Sequence, residues 1–156
     1  MTRPPFTART VAVVELIAAG VPRREIAARL GVGEGVVWRE SRHARRCLHA
    51  RNEASLVNRA IRAGVITAEP GTPAPLERSL IVTLEMVAAG CSNAEIAARL
   101  WLSVDGVKFR LTTILARLDA RDRAHAVAVG WQRGILRDQP HHPHPDNLTR
   151  KEFEAL

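Results

Sequence analysis

Lys108, Phe109 and Thr112 stand among Val107, Leu111, Ile114 and Leu118, apolar residues spaced four, three and four apart. That spacing predicts a helix with one buried stripe, so Lys108, Phe109 and Thr112 face outward, with Arg110 and Thr113 at the flanks. Such groups suit recognition rather than bond making. A lysine bonds a guanine edge or a phosphate, a threonine a base edge or a phosphate, and a phenylalanine meets a thymine methyl. Seventy residues earlier, Trp38, Arg39, Arg42 and His43 hold the corresponding places, and Arg39 and Arg42 suit guanine edges or phosphates. Asn93, and Arg23 with Arg24, fall at the starts of predicted helices, where backbone N–H groups already favour phosphate; they would position rather than specify. The plainer reading of all these residues is a solvated helix face. Outward Trp38 and Phe109 argue for something that covers them.

Composition narrows the partner. The chain has 156 residues, with Lys plus Arg at 23 against Asp plus Glu at 16, a formal charge of +7. Its pI is about 11.1. That balance favours a polyanion, because neutralising phosphates releases condensed counterions. No Gly-rich phosphate loop, nucleophile elbow or Cys/His cluster with ligand spacing occurs in the folded parts, so no enzyme, cofactor or metal is expected. Cys47 and Cys91 are too few for a disulfide framework. The start lacks an apolar signal core, and no apolar run approaches the ~20 residues of a membrane span. A cytoplasmic protein with reduced thiols is expected.

A repeat organises the chain. Glu25-Ile26-Ala27-Ala28-Arg29-Leu30 recurs letter for letter as Glu95-Ile96-Ala97-Ala98-Arg99-Leu100, an offset of 70. Glu15 to Gly20 answers Glu85 to Gly90, and Leu48, Arg51, Ala54, Val57 and Gly64 answer Leu118, Arg121, Ala124, Val127 and Gly134. Each copy parses into four helices. In the second, Gly90 closes the first helix, Ser92-x-x-Glu95 has capping-box form, Ser103 caps the third and Asp122 the fourth. In the first, Pro22 is expected at the first position of the second helix and Asn52 as the last cap. Two short helices around a tight turn make a helix-turn-helix. The first turn is Leu30-Gly31-Val32; the second places Trp101 where Gly stood, and packing of Trp101 against another part of the chain is expected.

These motifs resemble the LuxR/GerE helix-turn-helix family. The second copy is similar at Ser92, Asn93, Glu95, Ile96, Ala97, Leu100, Ser103, Val107, Lys108, Ile114, Leu118, Arg121, Ala124 and Val127. The first is similar at Thr7, Arg9, Gly20, Glu25, Ile26, Ala27, Leu30, Gly31, Val37, Leu48, Arg51, Ala54 and Val57. The resemblance implies an all-α fold of two tandem four-helix LuxR-type helix-turn-helix domains joined by a Pro-rich linker. Their expected bounds are 6–66 and 76–136, with the linker at 67–75 and a Pro/His-rich spacer at 137–147. Departures mark the first copy as degenerate: Trp38 and Glu40 replace the family's Lys and His, and Ser41 and Arg45 replace core-facing apolar residues. If Glu40 lay on the DNA face, this copy would suit protein rather than phosphate.

The resemblance implies a sequence-specific regulator on double-stranded DNA, reading through Lys108, Phe109, Arg110, Thr112, Thr113 and Asn93, and through Trp38, Arg39, Arg42, His43 and Arg23. Fourth helices of the family pair monomers, so a homodimer through Leu56, Val57, Ala60 and Ile61, or Ala126, Val127 and Trp131, is one expectation; intramolecular core is the other. The alternative function is an interaction adaptor contacting RNA polymerase or another regulator, or an architectural or recombination-accessory factor. His141, His142 and His144 are spaced by proline in a spacer, and no metal is expected there. Residues 148–156 resemble the opening of the family's first helix and are expected to begin a third unit, or else to form a docked C-terminal helix.

Overall fold

A computed structural model describes residues 6–138, which form eight helices. The readings of the His-rich spacer and of residues 148–156 lie outside the described residues. Helices α1 (Ala8–Ala18), α2 (Arg23–Leu30), α3 (Glu34–Cys47) and α4 (Glu53–Arg62) make one half. Helices α5 (Arg78–Ala88), α6 (Asn93–Arg99), α7 (Val104–Leu118) and α8 (Arg123–Gln132) make the other. Every helix of the second half starts 70 residues after its counterpart. Backbone conformation keeps the same register: the left-handed residues pair as Gly20 with Gly90, Gly31 with Trp101, His49 with Asp119, and Gly64 with Gly134. No helix among the described residues is long and apolar enough to cross a membrane.

Local chemistry sets the helix starts. Thr7, Asn52, Ser92, Ser103 and Asp122 each accept a backbone N–H through the side chain at the head of a helix. Ser92 with Glu95, and Asn52 with Ser55, close reciprocal capping boxes. Pro22, expected as the first helical residue, instead precedes it in extended conformation; Arg23 opens the helix.

The halves are packed together, not held apart. Helices α4 and α8 lie against each other, and each also lies on the first helix of the opposite half, α4 on α5 and α8 on α1. The contact is reciprocal. A Cβ on Gly20 would come within 2.6 Å of His125 Nδ1, and one on Gly90, 70 residues later, within 3.0 Å of Ser55, 70 residues before His125. Both glycines also have positive φ, so close approach and backbone conformation each favour glycine. A surface on which i meets j and j meets i is the signature of a two-fold axis, here inside one chain.

Leu56, Val57 and Ala60 of α4 and Ala126 and Val127 of α8 are buried in one continuous core. Burying each Leu or Val contributes roughly 1.5–3 kcal/mol. The surfaces expected to join two copies are therefore covered within one. Polar bonds tie the joint: Asn52 Nδ2 donates to Gly90 O at 3.1 Å, and Arg51 donates to both Glu95 carboxylate oxygens at 3.2 and 2.9 Å. The Pro-rich segment runs along the second half, where Gly71 N–H donates to Gln132 O at 2.8 Å.

Candidate nucleic-acid interface

Helices α3 and α7 each sink one face into the core and leave the other outside. Val107, Leu111, Ile114 and Leu118 are the buried residues of α7, as the spacing predicts. The buried residues of α3 are Val37, Ser41 and Ala44, a thinner stripe in which Ser41 stands where α7 has Leu111. Ser41 is 2% exposed, and its Oγ has no hydrogen-bond partner. The buried stripe of α3 thus contains a polar residue where that of α7 is wholly apolar.

On α7, Phe109 is 74% exposed. Lys108 Nζ lies 3.1 Å from Asp105 Oδ1 in an exposed pair, which costs little to open. Thr112 and Thr113 donate their hydroxyls to the carbonyls of Lys108 and Phe109, each at 3.0 Å. Arg110 turns away from its neighbours and reaches Ser79 O and Thr83 Oγ1 on α5 at 3.4 and 3.5 Å; burial lowers its pKa from the ordinary arginine value. Lys108, Phe109 and Thr112 therefore share an outer face, with Thr113 half-buried at its edge.

On α3, the Arg42 guanidinium stacks over the Trp38 ring at 4.9 Å from its centroid. Trp38 is 42% exposed, and Arg39, Arg42 and His43 are exposed beside it. His43 meets Phe6 edge to face at 6.3 Å, and its Nε2 lies 3.6 Å from Cys47 Sγ. Glu40 is not on the outer face: Thr10 Oγ1 on α1 donates to its Oε2 at 2.6 Å. Glu40 and Arg110 occupy the same place in the repeat, and both are tied to the first helix of their half. The carboxylate that threatened phosphate binding is thus withdrawn.

Arg23 and Asn93, at the heads of α2 and α6, are each engaged by the fourth helix of their own half. Arg23 pairs with Glu53 at 2.9 Å, and Asn93 Oδ1 accepts from Arg123. The ion pair and the hydrogen bond sit at equivalent places with the cation exchanged between helices. Glu95 in the α6 capping box is held down to a pKa of about 2, chiefly by its bonds from Arg51 and next by the backbone N–H of Ser92.

Sequence reasoning missed one feature. Arg42, Arg45, Arg46 and His49, at helical spacing, line a cleft of about 460 Å³ at the end of α3. Arg45 Nε is buried there with no hydrogen-bond partner. Treating Arg45 only as a lapse in the apolar stripe hid the run. The corresponding residues of the second half are Thr112, Leu115, Ala116 and Asp119, so the cationic cleft belongs to the first half alone.

Trp101 keeps the left-handed conformation of its counterpart Gly31, with φ 49°, so the turn is not altered, and its side chain is about half covered, at 48% exposure. The turn geometry is preserved at the cost of strain.

Residues 81–129 match the GerE model, described as bacterial regulatory proteins of the luxR family, and form one helix-turn-helix domain of that type. The chain is similar to the HTH-type transcriptional regulator AlkS of Ectopseudomonas oleovorans, with 33% identity over 70 residues. That stretch is 45% of this chain and 8% of AlkS. No solved structure matches the chain significantly.

Proposed function

We propose that this protein is a DNA-binding transcription regulator that lays α7 and α3 in the major groove at two half-sites of one duplex. One observation carries the reading: two third helices in equivalent settings each present polar, cationic and aromatic side chains over a buried stripe. The GerE-type match over α7, the formal charge of +7 and the regulator similar to this chain support it. On this reading residues 6–66 and 76–136 are tandem helix-turn-helix units, the first degenerate, joined at 67–75. Lys108, Phe109 and Thr112 read bases. Arg39, Arg42 and Trp38 mainly hold the backbone, helped by the α3 cleft. Arg110, Arg23 and Asn93 act indirectly, by fixing the helices that read.

The reciprocal α4–α8 contact supports half-sites that run as an inverted repeat, spaced about one helical turn, roughly 34 Å. The two reading faces share no residue at corresponding places, so the half-sites would be unlike in sequence. Because α4 and α8 cover each other, a single copy would supply both readers, and a homodimer would need another surface. A second reading, contact with polymerase or another regulator, is favoured by Trp101 and by Val104, which is 41% exposed at the same turn.

Selection from a random duplex pool, followed by affinity at several salt concentrations, tests the proposal. The expected result is an enriched motif of two unlike inverted half-sites, bound far more tightly than bulk DNA. A direct-repeat motif would overturn the two-fold arrangement alone. Weak binding without a motif, vanishing at moderate salt, would leave only nonspecific electrostatics and favour the interaction reading.

A further inference from the structure

We propose that the groove between α4 and α5 binds a small amphipathic organic anion, an apolar body carrying a carboxylate or sulfonate. The fold contains this groove twice, and the duplicate serves as an internal control. One copy has a volume of about 610 Å³ and takes Arg59 and Arg62 from α4, Ala88 and Ala89 at the end of α5, and Arg99 and Arg137. Its counterpart has a volume of about 230 Å³ and takes Ala18 and Ala19 at the end of α1, Ala128 and Gln132 from α8, and Thr67. Part of the walls corresponds: Ala88 and Ala89 answer Ala18 and Ala19, Glu85 answers Glu15, and Leu136 answers Ile66. Three of the four arginines do not, nor does Asp138, which answers Ala68. Arg62 faces the groove where the duplicate has Gln132, Arg137 where it has Thr67, and Arg59 where it has buried Val129. The same helical joint is built without these arginines, so the fold does not require them.

Their chemistry defines the ligand. Four arginines line the larger groove against two carboxylates, Glu85 and Asp138, leaving a positive surplus. Arg59 donates to Leu48 O at 3.1 Å and Arg137 Nε to Gly134 O at 3.1 Å, bonds that orient each guanidinium while using a fraction of its five donors. Between them, Leu48, Ala63 and Ala89 offer apolar surface that solvent reaches. An inorganic anion would leave that surface uncovered; an amphipathic one fills it. The volume lies within the ~300–1,000 Å³ usual for small-molecule sites, which favour joints between structural units. A ligand here bears on both halves at once, and its binding does not depend on the DNA reading.

The test uses the full chain and 8-anilinonaphthalene-1-sulfonate as the amphipathic anion, with neutral N-phenyl-1-naphthylamine as the uncharged comparison. Saturable one-to-one binding of the sulfonate is expected, about tenfold tighter than the neutral probe, as charge-assisted guanidinium bonds imply. Substituting Arg62→Gln with Arg137→Thr installs the residues of the duplicate and should weaken the sulfonate about tenfold while sparing the neutral probe. Ala63→Glu adds a negative charge at the exposed rim and should weaken it too, giving a second reading if the double variant folds poorly. Equal affinity for both probes, or sulfonate binding unchanged in a folded variant, overturns the proposal.

Discussion

The indole N–H of Trp131 on α8 donates to Asn58 Oδ1 on α4 at 2.9 Å, a side-chain hydrogen bond that crosses the joint between the halves. Because that joint is also the middle of the core, the halves should unfold as one unit. Asn58→Ala leaves the indole N–H without its partner and should cost about 1–3 kcal/mol. Calorimetry should show a single transition displaced to lower temperature. Two resolved transitions, only one of them moved, would mean that the halves are independent.

Trp101 occupies a glycine conformation. A left-handed residue other than glycine costs roughly 1–2 kcal/mol. Trp101→Gly should therefore raise the chemical-denaturation midpoint by a corresponding amount, and a loss of stability would show that contacts of the indole outweigh the backbone strain.

Ser41 places an unpaired hydroxyl in the core of the first half. Ser41→Ala removes the polar group with little change of volume and should stabilise the protein by about 1 kcal/mol. Equilibrium unfolding checks this, and destabilisation would point to a bonded hydroxyl.

His125 gives the protein a pH dependence. Burial is the main cause that lowers its pKa from the ordinary value, against an opposing pull from Asp122. Its Nδ1 accepts the N–H of Arg121 at 3.2 Å, as Ser55 Oγ accepts that of Arg51 at 3.0 Å in the other half. A folded pKa below the unfolded value, ~6.5, gives stability that is present above that value and lost as pH falls through the folded pKa. His125→Ser keeps an acceptor and removes the titration. Its melting temperature should fall less than that of the parent as pH drops below ~6.5; parallel curves would assign the acid sensitivity elsewhere.

The two third helices should differ in how they fail. On a selected DNA sequence, Lys108→Ala should cost about 1–3 kcal/mol and relax preference at one position, as loss of a base contact does. Arg42→Ala should weaken all sequences alike and reduce the salt slope by about 1, as loss of a phosphate contact does. Competition binding across sequences and salt separates the two. Identical behaviour of both variants would remove the division of labour between α7 and α3.

Helix positions, caps and buried stripes were legible in the sequence because they are local. Ser92 with Glu95, Ser103, Asn52 and Asp122 act within four residues, and Val107, Leu111, Ile114 and Leu118 declare a face by spacing alone. The repeat also announced two equivalent sets of helices. It could not say how they are related, since a repeated sequence specifies alike units but not the symmetry between them. Apolar Leu56, Val57 and Val127 serve equally to join two copies or two halves, and only close approach, with Gly20 beneath His125 and Gly90 beneath Ser55, decides it. Side-chain direction at the candidate interface was hidden for the same reason. On a helical projection Arg110, and Glu40 at the corresponding place, fall at the flank, and only Thr10 on α1 and Ser79 and Thr83 on α5 decide that they turn inward. Long polar side chains go where a partner is, and partners distant in sequence are supplied only by tertiary packing.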